Sequence, residues 1–122
     1  MAWDLQQLKH KKVFGDYLPG TRPIRYRRPD WDRITHGRLR TVALVLTAFL
    51  GVPTFHGEGE TPVWSFQFDD AGLLIIHYRK GHVLEISARG DEESKDLQGA
   101  FDFLLAEVTN RLLVVSGQAN EE

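Results

Sequence analysis

Residues 62–89, PVWSFQFDDAGLLIIHYRKGHVLEISAR, decide the fold. Three runs rich in β-branched and aromatic residues, VWSFQF, LLIIHYR and HVLEISA, are separated by Asp69-Asp70-Ala71-Gly72 and by Arg79-Lys80-Gly81. The runs read as strands. Each separator fits a three-residue hairpin loop whose final glycine is left-handed. On this reading Phe66 pairs with Ile76, and Ile76 with Leu84. Side chains alternate along a strand, so Trp64, Phe66, Phe68, Leu74, Ile76, Tyr78, Leu84 and Ile86 gather on one face. Ser65, Gln67, Leu73, Ile75, His77, Val83, Glu85 and Ser87 take the other. A slip by one residue would scatter the aromatic set over both faces, so pattern and turns agree. The second face is mixed. Leu73, Ile75 and Val83 there call for cover by another segment, by a partner, or by a second copy in a homodimer through this back face.

Two helical stretches flank the strands. Over residues 31–51, Leu39, Val42, Ala43, Leu46, Phe49 and Leu50 recur at spacings of three and four, with Asp30 or Asp32 as cap. Leu44, Val45 and Ala48 make the remaining faces apolar, which predicts a central helix covered nearly all round. Gly51 stands where a left-handed C-cap belongs, Pro53 prevents continuation, and Gly37 allows a break near the start. Over residues 97–113, Leu97, Ala100, Phe101, Leu104, Leu105, Val108 and Leu112 keep the helical period, with Leu112–Val115 ending the helix or forming a short strand. The sum is an α+β fold: an antiparallel meander of three to four strands with two main helices packed on one face.

Residues 1–30 form a basic, extended N-terminal segment. Asp4 caps a short helix holding Leu5 and Leu8 on one side, with Lys9, Lys11 and Lys12 exposed toward its end. Leu18-Pro19-Gly20-Thr21 suits a turn. Ile24–Arg28, enclosed by Pro23 and Pro29, suits an edge strand or an extended arm.

The 122 residues, 42% hydrophobic and 26% charged, fit one globular domain over 1–122 and exclude wholesale disorder. With no cysteine there is no disulfide, thiol nucleophile or Cys-ligated metal. The most apolar run, Val42–Leu50, is about half of a membrane span, and the N-terminus lacks a signal-peptide core. A cytoplasmic protein without membrane contact is therefore expected. The net charge of −2 hides an asymmetry. Residues 1–45 carry +6 and residues 46–122 carry −8, which implies a basic surface, an acidic one, or halves that attract each other.

Few residues form a pattern with chemistry. The five histidines make no zinc motif, so neither a metal nor another cofactor is expected. Ser65 and His77 become cross-strand neighbours with Glu85 diagonally beyond, the residue types of a hydrolase. A sheet face, however, supplies neither an oxyanion hole nor a concave substrate site. The loop Phe55–Glu60 is Gly-rich, but Glu58 and Glu60 would repel a phosphate, and it reads as a mobile connector. The concentrated feature is arginine: Arg22, Arg25, Arg27, Arg28, Arg33, Arg38 and Arg40, interleaved with Tyr26, Trp31 and His36. Guanidinium forks suit phosphate or carboxylate. The same segment could equally pair with Asp30, Asp32 and the acidic half. Trp3 and Trp31 fit either a contact surface or a core.

These features point to a non-enzymatic protein-binding module acting by occlusion, such as a bacterial immunity or inhibitor protein that neutralises a toxin. Arg22, Arg25, Arg27, Arg28, Trp31 and Arg33 would meet an acidic partner. Glu58, Glu60, Asp91, Glu92, Glu93 and Asp96 would meet a basic one. The alternatives are an RNA-binding or nucleoprotein-assembly domain using Arg22–Arg40, and a small metal-independent nuclease using His36 or His77.

Overall fold

The computed structural model describes residues 3–14, 23–29, 31–34, 39–57, 60–68, 72–79 and 83–115. Its elements, in chain order, are α1 (Leu5–Lys9), β1 (Pro23–Arg27), α2 (Trp31–Ile34), α3 (Leu39–Leu50), β2 (Phe55–His56), β3 (Pro62–Phe68), β4 (Gly72–Arg79), β5 (Val83–Gly90) and α4 (Lys95–Val115). The sheet is antiparallel with strand order β1-β5-β4-β3-β2. The class is α+β, but the meander of three to four strands becomes five.

Both additional strands come from segments with weak signals. The Pro-bounded arm is β1, and it pairs with the last strand rather than with its neighbour in sequence, placing Tyr26 opposite Ser87 and Arg27 opposite Ile86. The expected connector at residues 55–60 contributes β2, where Phe55 pairs with Val63 and His56 with Pro62. Its turn is held by Gly57 N–H donating to Thr61 O at 2.7 Å and Glu60 N–H to Gly57 O at 3.0 Å.

The two hairpin registers differ from expectation by two residues each. Phe66 pairs with Leu74, and Ile76 with Ile86. A shift of two keeps every side chain on its face, so the aromatic face forms as read, and Trp64, Phe66, Leu74, Ile76 and Ile86 are wholly buried. The role of Gly72 changes, because it opens β4 opposite Phe68 and Gly90. Its φ is +136°, and a Cβ there would lie 1.9 Å from Arg89 O. Gly81 and His82 lie outside the described residues.

The helices cover the aromatic face, but not as two equal elements. α4 lies on β4 and β5, α3 packs beside α4, and α2 rests against both. Their inward residues, from Val42 to Leu50 and from Leu97 to Leu112, join one cluster with the sheet and with Leu8 of α1. Each fully buried large side chain there contributes roughly 1.5–3 kcal/mol. Gly51 caps α3 as read, with φ +88° and its N–H donating to Thr47 O at 2.8 Å. The expected break near Gly37 falls on residues 35–38, which lie outside the described residues, as do Asp30, residues 18–21 and the tail 116–122. α4 continues through Val115 without a strand.

α1 forms as its sequence implies. Asp4 and Gln7 make a reciprocal capping box, with the Gln7 N–H donating to Asp4 Oδ1 at 2.8 Å. Lys12 departs from expectation. It is not a free surface lysine, because its Nζ donates to Leu50 O at 3.1 Å and also to Val52 O. That places an ammonium where the last carbonyls of α3 lack helical partners. Burial first, and Lys9 second, hold its pKa below 10.5. Residues 11–13 run along β3, with Gln67 N–H donating to Lys11 O and Val13 N–H to Ser65 O. Among the described residues no helix is long and apolar enough to cross a membrane.

Candidate functional site

Strand alternation turns Arg25 toward α4, since its partner on β5 is Ala88, a residue of the helix-covered face. Its Nη2 lies 2.7 Å from Asp102 Oδ1, and its guanidinium stacks 4.5 Å from the Phe101 ring centre. Arg28 takes the other face. Its Nε lies 3.3 Å from Glu85 Oε2, and its guanidinium sits over Tyr26. Two of the candidate arginines are thus engaged by carboxylates of the acidic half. Arg27 and Arg33 are exposed, while Arg22 lies outside the described residues, as do His36 and Arg38.

Both tryptophans in question pack inward. Trp31 is 1% exposed and its Nε1 donates to Thr109 Oγ1 at 2.8 Å. Trp3 is half-buried, its ring edge-on to Phe68 at 5.5 Å.

The acidic candidates divide. Asp91, Glu92 and Glu93 lie in the turn between β5 and α4, Asp96 lies in the first turn of α4, and all four are exposed. Asp91 Oδ1 accepts from Glu93 N–H at 2.9 Å, and Ser94 Oγ accepts from Leu97 N–H at 3.2 Å. The turn is therefore built by side-chain capping, and its carboxylates meet no cation among the described residues. The positive end of α4 favours carboxylates here. Glu60 precedes β3, at the opposite end of the sheet, about 20 Å away at the usual rise per residue. Glu60 is also strained, with φ +59°. Glu58 lies outside the described residues. The fold thus separates Glu60 from Asp91, Glu92, Glu93 and Asp96.

On the reverse face the register shift rearranges the third group. Ser65 stands opposite Ile75, and His77 directly opposite Glu85. Glu85 is fully buried, with Oε1 3.4 Å from His77 Nε2 and Oε2 facing Arg28. The Ser65 and Ser87 hydroxyls are buried and have no hydrogen-bond partner among the described residues. Histidine therefore faces carboxylate, with no contact from Ser65 to make a nucleophile of it. Of the apolar residues expected on this face, Ile75 is wholly buried and Leu73 half-buried within one chain, and the side chain of Val83 lies outside the described residues.

One surface escaped the sequence reading. α3 is not covered all round, for Leu44 is 64% exposed. A groove of about 400 Å³ runs between α3 and the end of α4, floored by Val45 and Phe49 and edged by Val114 and Val115. Arg111 stacks on Phe49 at 4.2 Å. Leu44 and Ala48, one helical turn apart, carried the signal, but an all-apolar helix gives no clue to which side lacks a neighbour.

No protein-family model matches the chain, and neither a curated protein nor a solved structure shows significant similarity to it.

Proposed function

We propose that this chain is a non-enzymatic, cytoplasmic protein-binding module that acts by occluding a basic protein partner, as an immunity or inhibitor protein neutralises a toxin. One observation carries the reading: the fold engages Arg25 and Arg28 and leaves its acidic turn open. Arg25 and Arg28 are held by Asp102 and Glu85, whereas Asp91, Glu92, Glu93 and Asp96 stand exposed on the capped turn and the first turn of α4 that follows it. Fixed like charges on a rigid support speed the encounter with an oppositely charged surface and fix its orientation. The same observation turns the reading away from nucleic acid, which the acidic turn would repel.

The test is a retention experiment from nuclease-treated cell lysate, with the native chain and a variant carrying Asp91→Lys, Glu92→Lys, Glu93→Lys and Asp96→Lys as parallel baits. The reading expects a basic protein held in equal proportion by the native bait, lost at high salt and lost from the variant. Equal retention on both baits, or material that vanishes with nuclease, overturns it.

A further inference from the structure

The outer surface of the α3–α4 pair exposes several large apolar side chains. Leu44 is 64% exposed, and Val114 and Val115 are each 57% exposed. Val114 and Val115 line a groove that also holds Glu107, Asn110 and Arg111 of α4, and Leu44 immediately precedes Val45 on its floor. Exposed apolar side chains gathered around a groove mark a contact surface.

We propose that this groove is the interface of a homodimer in which α4 of one chain crosses α4 of a second copy in antiparallel sense. The charge pattern selects that occupant. Glu107 and Arg111 lie one helical turn apart on the same side of α4. A two-fold axis passing between them brings each Glu107 to the partner's Arg111 and satisfies both charges twice, as an isologous interface requires. Asn110 sits near that axis, and its amide carries both donor and acceptor, so it can pair with its own copy. The same operation lays Val114 and Val115 of each chain against the apolar surface of the other.

Other occupants fit less well. The groove carries one acid and one base, so it offers no net attraction to a strongly charged foreign partner. Residues 116–122, SGQANEE, follow α4 directly but contain a single apolar side chain, Ala119. They cannot fill it. This interface does not rest on the acidic-partner reading, because the acidic turn lies at the other end of α4, roughly 30 Å from Val115.

Sedimentation equilibrium of the full chain over a wide concentration range tests the proposal. The mass should rise from 13.9 kDa toward twice that value. Leu44→Lys and Val114→Glu alter exposed positions and should leave the melting curve of the monomer in place while weakening association at least about tenfold. Glu107→Arg and Arg111→Glu should each associate poorly alone. Mixed, they should form a heterodimer, because every facing pair then has opposite charge. That result separates contact between chains from pairing along one helix. A chain that stays at 13.9 kDa at all concentrations overturns the proposal. So does a dimer indifferent to Leu44→Lys and Val114→Glu, and so does a mixture without preference for the heterodimer.

Discussion

Glu85 is a wholly buried carboxylate on β5 with His77 and Arg28 at its two oxygens. Removing one partner of a buried ion pair costs about 3–5 kcal/mol, and of an exposed pair about 0–1 kcal/mol. Arg28 is 48% exposed, so Arg28→Ala should destabilise the fold by about 1–3 kcal/mol, between those limits. In a Glu85→Gln background the same change should cost less than about 1 kcal/mol, because no charge is then left behind. Urea unfolding of the four members of the cycle checks this, and additive losses would show that the pair is not coupled. Tyr78 contributes to the alkaline behaviour. Burial pushes its phenol above 10.0, so below that pH both folded and unfolded chains hold the proton. As pH rises past 10.0 the unfolded chain ionises first, and stability falls until the folded phenol also ionises. Tyr78→Phe should flatten that part of the stability curve. An unchanged slope would assign the loss to other groups.

At the scale of elements, the tightest constraint is the junction of β3, β4 and β5 at Gly72. A Cβ at 1.9 Å from a carbonyl oxygen has no room, and the φ of +136° adds strain. Gly72→Ala should therefore separate the start of β4 from the end of β5 and cost more than about 3 kcal/mol. At Gly57 the nearest atom to a new Cβ is Val63 Cγ2 at 3.4 Å, so Gly57→Ala should be tolerated, within about 1 kcal/mol. Chemical denaturation of the two variants distinguishes steric constraint from a general intolerance of alanine in turns. The same junction explains which parts of the fold were legible. Alternation over Trp64–Phe68 and Leu74–Tyr78 revealed strands and faces, because burial on one side enforces a period of two. Register was not legible to better than two residues, since shifts of two leave that pattern intact. β2 is too short to show alternation, and the partner of β1 lies some sixty residues away in sequence. In the candidate site, the acidic turn could be read from composition alone. The engagement of Arg25 and Arg28 could not, because it depends on pairing between distant strands.

Across the whole molecule, residues 3–14 and 23–29 act as a clasp around a fold whose sheet is otherwise built later in the chain. α1 inserts Leu8 into the core, Lys12 closes the end of α3, residues 11–13 pair along β3, and β1 covers the free edge of β5. β1 also delivers Arg25 to Asp102, and the residue following it delivers Arg28 to Glu85. The charge asymmetry along the chain therefore includes an internal joint: basic residues of the first part close on acidic residues of the second. A chain beginning at Trp31 loses all of these contacts together. It leaves the edge of β5 unpaired, a template for association with other chains, and it strips Glu85 of its arginine. A marginal domain holds about 5–15 kcal/mol in total, and the lost burial of Leu8, the lost cap and the broken ion pairs add up to a large share of it. The shortened chain should show no cooperative melting transition and should aggregate. Supplying residues 1–30 as a separate peptide should restore a cooperative transition. A shortened chain that melts cooperatively near the temperature of the full chain would show instead that β2–β5 with α3 and α4 are self-sufficient, and that the basic segment is an accessory to the fold.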